Sequence, residues 1–284
     1  FDNQTRWISE QIVLQGNPLG IVLVSHVGDL VQHGRSTSEW ERAKASMSLL
    51  KRPDTSFLVP VSVLPGNHDY DLRGRHPSGL DHYTTSFGPQ LFANEAWYGA
   101  CDPSLGAGSF QRFRGGDLDF LHLALEFQPG PPLLAWAEQV IRDRPGVPVV
   151  LSTHDYIRDS PGGRSEAGDR IFEALVRRCD QIFLVLSGHW QAAQGAHSGK
   201  FHQVSLNDIG RPVIEVLQDF QDYPHGGNGW LRIISCDLSL GQLRFRTYSP
   251  LLNEYLPGTD EDMGSWASEF AVELSRSRLE ALSA

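Results

Sequence analysis

Apolar positions along the chain change period several times, and each change predicts an element. After Asp2, the residues Trp7, Ile8, Ile12 and Leu14 recur at helical spacing, which predicts an N-terminal helix with Asp2 as its N-cap, closed by Asn17-Pro18-Leu19-Gly20. Ile21 to His26 is rich in β-branched and apolar side chains and ends in a Gly28-Asp29 turn, so it predicts a buried strand. Ser38 then predicts the cap of a second helix from Glu39 to Leu50, with Trp40, Ala43, Met47 and Leu50 on one face. Phe57 to Leu64 is a further apolar run that stops at Pro65-Gly66. Strand, loop and helix alternate, and parallel pairing is the arrangement such alternation favours.

From Asp71 to Gly116 periodicity gives way to Gly, Pro, Ser and aromatic residues, the pattern of a loop-rich cap over a site. Regular elements resume with a strand at 118–125, a helix at 133–142, a strand at 147–152, a helix at 167–178 and a strand at 182–187. The stretches 213–217, 230–236 and 242–248 alternate and are separated by Gly or Asn turns, which suits antiparallel pairing. Trp266, Phe270 and Leu274 stand four apart and predict a helix from Gly264 in a C-terminal tail, 260–284, after a domain spanning 1–259. The expected class is α/β, with two mixed sheets packed face to face and helices outside.

Composition narrows the picture. With 284 residues, 40% hydrophobic and 20% charged, the chain can bury an ample core and does not read as disordered. Its longest apolar runs, such as 20–24 and 147–151, are far shorter than the ~20 residues of a membrane helix. A net charge of −10 without a basic cluster disfavours dedicated nucleic-acid binding. Cys101, Cys179 and Cys236 are too few and too scattered for a disulfide framework or a CxxC metal knuckle. The chain opens at Phe1 rather than Met, and the expectation is a processed product whose first strand lies upstream.

Four polar clusters follow the predicted strands, where open α/β sheets place their ligands: Gly28-Asp29, Gly66-Asn67-His68-Asp69, His154-Asp155 and Gly188-His189-Trp190-Gln191. Each offers a hard or borderline metal ligand, and imidazole in the set favours Zn, Mn or Fe over Ca or Mg. The adjoining glycines allow sharp turns at a crowded centre.

With these clusters the chain resembles the calcineurin-like metallophosphoesterases, the superfamily that includes purple acid phosphatases, and Phe1 to Trp7, Trp97-Tyr98-Gly99 and Gly226 to Arg232 are similar to a bacterial branch. The resemblance extends to about residue 255. It implies a four-layer αββα sandwich with a dinuclear centre of divalent or trivalent Zn, Mn or Fe. It implies that Asp29 bridges the metals, that Asn67, His154 and His189 complete the second site, that His68 serves as general acid or charge stabiliser, and that Asp69 orients His68. The family's opening Asp-x-His or Asp-x-Gln is absent, and Gln191 stands where a second histidine is expected, leaving that metal with only the bridge and the Gln191 carbonyl oxygen. The implied activity is hydrolysis of a small phosphomonoester or phosphodiester by a metal-activated hydroxide. A degenerate binding module with one metal or none is the alternative.

Arg73 and Arg75, just beyond the Asn67 cluster, are candidates for holding a substrate phosphate. His26 reads as a half-buried histidine with a backbone partner, and Trp97-Tyr98 as cap packing. His225 to Gly229 fits either a backbone cradle for substrate or a plain turn between strands. The spacings of His33, His76, His82, His122, His197 and His202 match no ligand pattern. The resemblance mildly favours a secreted or cell-surface location.

Overall fold

The computed structural model describes residues 1–104, 106–160, 163–191, 199–237, 239–274 and 278–279. His197 and most of the tail beyond Leu274 lie outside the described residues. The chain has a mixed α/β fold with flanking helices, as the sequence pattern predicts, and it divides into two compact units: 1–137 with 151–154, and 138–150 with 155–284.

In the first unit, α1 (Asp2–Val13) begins at Asp2 itself. Phe1 occupies the cap position, and the Asp2 carboxylate accepts from Arg6 at 3.1 Å one turn on, so Asp2 is not the N-cap. The short strand β1 (Val24–His26) pairs in parallel with β2 (Val61–Val63), and α2 (Thr37–Ser48) lies between them in sequence. That helix starts two residues earlier than expected, at Thr37 rather than Glu39, with Ser36 rather than Ser38 at the N-cap position. Trp40, Ala43, Met47 and Leu50 are buried as expected and share a core with Val61, Val63, Tyr70, Tyr83 and Phe87. Burying side chains of this size contributes about 1.5–3 kcal/mol each and holds β1 and β2 side by side.

The segment expected to be a cap is more regular than its composition suggests. It contains α3 (Asp81–Phe87), β3 (Tyr98–Cys101) and β4 (Ser109–Gly115), and β4 forms a hairpin with β5 (Leu118–Leu125) in which Gly115 pairs with Leu118. Gly116, at φ +63°, supplies the left-handed residue of that two-residue turn. Trp97 and Tyr98 pack with Phe57 and Phe92 in an aromatic cluster, in keeping with their reading as packing residues.

The division between units falls within α4 (Pro131–Arg142) and β6 (Val149–Thr153). In the second unit α5 (Glu166–Ile171) continues as a π-helical turn, Phe172–Val176. The wholly buried β7 (Ile182–Ser187) pairs in parallel with β9 (Pro212–Gln218). β8 (Lys200–Leu206), which the sequence reading passed over, pairs antiparallel with β9. His225 to Gly227 belong to a four-residue turn, α6 (Pro224–Gly227), ahead of β10 (Leu231–Asp237). β10 pairs antiparallel with β11 (Gln242–Ser249), and β11 also pairs with β12 (Glu254–Tyr255).

The tail departs from expectation. After the four-residue helix α7 (Asp260–Met263), Glu269–Glu273 forms β13, antiparallel to β11, where a helix was expected. A spacing of four residues keeps side chains on one face of a helix and equally on one face of a strand. Buried Ser268, Phe270 and Leu274 against exposed Ala271 and Glu273 reveal the period of two. Among the described residues no helix is long and apolar enough to cross a membrane.

Candidate metal centre

The residues that converge in the first unit come from three strand ends. β1 runs into Gly28-Asp29, where φ reaches +97° and +56°, a conformation that costs a non-glycine residue such as Asp29 energy. β2 runs through Pro65-Gly66 into Asn67-His68-Asp69, and β6 delivers His154. The turns touch so closely that a Cβ on Gly66 would fall 2.2 Å from Asp29 Oδ1, and one on Gly28 would fall 2.7 Å from His154 Nδ1. Only glycine fits at either place.

Asp29 Oδ1 accepts the backbone N–H of His68 at 2.9 Å. Its other oxygen, Oδ2, lies 3.3 Å from His154 Nε2 and 4.0 Å from His68 Nε2. His154 Nε2 is also 3.0 Å from Asn67 Oδ1, while His154 Nδ1 meets the Val27 carbonyl at 2.7 Å. A carbonyl only accepts, so Nδ1 carries the proton, and in the neutral ring Nε2 turns its lone pair toward the two side-chain oxygens. The Asp29 and Asn67 side-chain oxygens therefore both stand beside His154 Nε2.

Donors bonded to one ion at about 2.1 Å stand about 3.0 Å apart across an octahedral edge and about 3.4 Å across a tetrahedral one. The observed 3.0 and 3.3 Å separations, a hydrogen bond and an ion pair, fall within that range, and the set of carboxylate, amide oxygen and imidazole is one a transition-metal ion accepts. The backbone carbonyl behind His154 is the outer partner such a ligand requires. Only two of the three donors are of the His, Cys, Asp or Glu type, and among the described residues no group of three such side chains is placed to hold an ion.

Charge explains the titration of these groups. Burial acts against the charged form of His154, yet the Asp29 carboxylate beside it raises its pKa above the ordinary imidazole value. Burial is the largest influence on Asp29 and acts to raise it, but the His154 ring together with the backbone N–H and ring of His68 outweighs burial and lowers the pKa. Asp69, wholly buried, is pushed up to about 7 by burial and by the charge of Asp29, against the pull of backbone donors at Gly66, Leu30 and Val31.

Asp69 does not orient His68. Its oxygens accept from Val31 N at 3.1 Å and Gly66 N at 2.8 Å, so it ties the turns after β1 and β2 together. His68 Nδ1 instead meets the Gln32 carbonyl at 2.8 Å. Two carbonyls, Val27 and Gln32, thus set the two histidines, and neither leaves a side-chain signature in the sequence. His26 is half-buried and accepts from Gly28 N at 3.2 Å, as expected, and burial lowers its pKa to about 4.

His189 and Gln191 belong to the second unit. His189, at φ +74°, packs edge-on against Trp190, whose indole donates to Asp155 at 2.7 Å. The Gln191 side-chain oxygen accepts from Gln221. Arg73 and Arg75 are both exposed; Arg73 lines a groove in the first unit, and Arg75 is not among its walls.

Residues 1–192 match the family model for calcineurin-like phosphoesterases. The chain is 29% identical over 257 residues to the uncharacterized protein YvnB of Bacillus subtilis (strain 168), a match covering 89% of this chain and 19% of YvnB, so the chain spans about a fifth of that relative's length. Among solved structures it resembles GAP50, the anchor in the inner membrane complex of Plasmodium, with a TM-score of 0.51 and 8% identity over 96% of this chain and 83% of that one. At that identity the likeness concerns the fold alone.

Proposed function

This chain belongs to the calcineurin-like phosphoesterase family, and from that premise we propose that it hydrolyses a phosphomonoester or phosphodiester at a transition-metal site built on Asp29, Asn67 and His154. The observation that carries the reading is the convergence of Asp29 Oδ2, Asn67 Oδ1 and His154 Nε2, with neighbouring separations of 3.0 and 3.3 Å. An ion bound there would supply Lewis-acid polarisation of a phosphoryl oxygen and a water acidic enough to act as nucleophile near neutral pH.

The chain's own residues account for the remaining requirements. The His68 backbone N–H holds Asp29 through one oxygen, which fixes the direction of the other. With Nδ1 engaged by Gln32, the Nε2 of His68 is the nitrogen that can give a proton to a leaving oxygen or stabilise its charge. His68 is nearly buried, at 6% exposure, so charge there is poorly screened and acts strongly on a neighbouring phosphate. Asp69 keeps the Val31 and Gly66 turns in register, a positioning role.

A one-metal module is the second reading. It is favoured by the donor set, a single carboxylate, imidazole and amide, and by the Gln191 oxygen being taken by Gln221. Elemental analysis after zinc or manganese loading, with turnover of p-nitrophenyl phosphate and its bis ester, tests both. Bound metal with turnover that vanishes in Asp29→Asn supports the enzyme. Bound metal without turnover supports the module, and no metal at all overturns both.

A further inference from the structure

Beside the candidate metal centre the first unit carries a groove of about 210 Å³ lined by Gln32, His33, Gly34, Arg35, Asp71, Leu72 and Arg73. Its two walls continue the loops that leave Asp29 and the Asn67-His68-Asp69 turn, and the Gln32 carbonyl that orients His68 belongs to one of them. Both walls are held in place. A Cβ on Gly34 would sit 1.9 Å from the Tyr70 carbonyl, the Gly34 carbonyl accepts from the Trp40 indole at 2.7 Å, and Gly74 N donates to Asn67 O at 2.7 Å.

The carboxylates at and next to the groove already have partners. Asp71 is engaged by His82 at 3.2 Å, and Glu39, next to the groove, is engaged by His33 at 2.9 Å and by the backbone N–H groups of Gln32 and His33. Arg35 and Arg73 make no ion pair among the described residues. Two guanidiniums without carboxylate partners thus stand on one pinned groove, their N–H donors open to an anion. Guanidinium forks match phosphate oxygens bidentately, and loops already held in place reduce the ordering cost of binding. The volume lies below the roughly 300–1,000 Å³ of sites that enclose a whole drug-sized ligand, so it suits one compact group.

We infer that this groove is a second anion subsite, in which Arg35 and Arg73 hold a further phosphoryl group carried by the leaving alcohol of the substrate. The substrate class is then a phosphate ester with a second phosphoryl group rather than a simple alkyl phosphate. This rests on the proposed hydrolysis at Asp29, Asn67 and His154, and the test separates the two.

The probes are propyl phosphate and 3-phosphonopropyl phosphate, which differ only in a second, non-hydrolysable phosphoryl group, assayed by phosphate release on the metal-loaded protein at low ionic strength. The wild type is expected to favour the second probe by about tenfold or more in kcat/KM, and the Arg35→Gln/Arg73→Gln double variant to bring that ratio close to one. A ratio near one in the wild type, or unchanged in the double variant, overturns the inference. Propane-1,3-bisphosphonate binding, followed by calorimetry, provides the readout if neither ester is turned over. Affinity that falls about tenfold in the double variant supports the subsite even though hydrolysis has failed, whereas equal affinity or no binding by the wild type overturns it.

Discussion

His154 Nδ1 meets the carbonyl oxygen of Val27 at 2.7 Å, and that single bond decides which nitrogen of the ring faces Asp29 and Asn67. Because the carbonyl comes from the residue just before Gly28-Asp29, the turn that carries the carboxylate also orients the imidazole opposite it. Removing the ring removes one of three donors, and His154→Ala is expected to lower zinc affinity by at least about 100-fold and turnover of p-nitrophenyl phosphate with it. Zinc titration of wild type and variant, with thermal denaturation of both metal-free proteins as a control for folding, measures this. Equal zinc affinity in the two would remove His154 from the centre.

The glycines at the turns make a sharper test, because they bring no functional group of their own. Gly66→Ala places a methyl group 2.2 Å from Asp29 Oδ1, against a carboxylate already held by His68 N. The clash has to be relieved by moving Asp29 or by opening the turn. The expected outcome is a loss of about 2 kcal/mol or more in stability together with impaired metal binding. Gly74→Ala serves as the control: its φ of +65° carries backbone strain but no atom lies within 4 Å of the added methyl, so it should cost about 1 kcal/mol and leave metal content intact. Urea denaturation and elemental analysis of the two variants decide the matter, and similar metal loss in both would contradict it.

The turns that bring Asp29 and Asn67 together were legible because each follows an apolar run and carries its own glycine, Gly28 and Gly66, signals that survive in a single sequence. What orients His154 and His68 was not legible: Val27 and Gln32 act through carbonyl oxygens, which every residue possesses. The partner of Asp69 was misread for the same reason, since its two acceptors meet backbone N–H groups. In the fold, β7 was clear because all its residues are buried, whereas β8, beginning Lys200-Phe201-His202-Gln203, has mixed polarity and owes its strand to pairing with β9. β13 was hidden by a spacing of four that fits both periods. The β4–β5 hairpin did leave a signal, Gly116-Asp117 between two alternating runs, outweighed by the Gly- and Pro-rich composition before it.

His122 predicts how the fold responds to acid. Its Nδ1 lies 2.9 Å from Gln111 Oε1 and its Nε2 lies 2.8 Å from Ser152 Oγ, which in turn is 3.2 Å from Ser25 Oγ, all within the first unit. Burial lowers its pKa to about 3 from the ordinary 6.5. A group with a depressed folded-state value binds its proton more readily in the unfolded chain, so the stability it contributes is present above pH 6.5 and is lost as pH falls toward 3. Each pH unit in that window costs about 1.4 kcal/mol. Between pH 7 and pH 5 the wild type is therefore expected to lose about 2 kcal/mol more than His122→Gln, read from urea midpoints at the two pH values. Parallel losses in the two proteins would show that acid sensitivity arises elsewhere.

In the second unit the buried carboxylate of Glu215 is satisfied by Arg164, by Tyr156 OH at 3.3 Å and by Gln203 Nε2 at 2.6 Å, while the Arg164 guanidinium lies over the Phe172 ring at 3.4 Å. Glu215 stands on β9, Gln203 opposite it on β8, and Arg164 precedes α5, so one carboxylate joins three segments. Breaking such a pair from one side leaves a charge without its counter-ion in a dry environment, and the cost exceeds the net worth of the pair itself. Arg164→Met is accordingly expected to destabilise the protein by about 3–5 kcal/mol, and adding Glu215→Leu to that variant should recover part of the loss rather than deepen it. A double-mutant cycle in urea measures the coupling. Losses that simply add would mean that Arg164 and Glu215 contribute independently, and the network would then be three separate hydrogen bonds to Glu215 rather than a buried ion pair that fixes the register of β8 against β9.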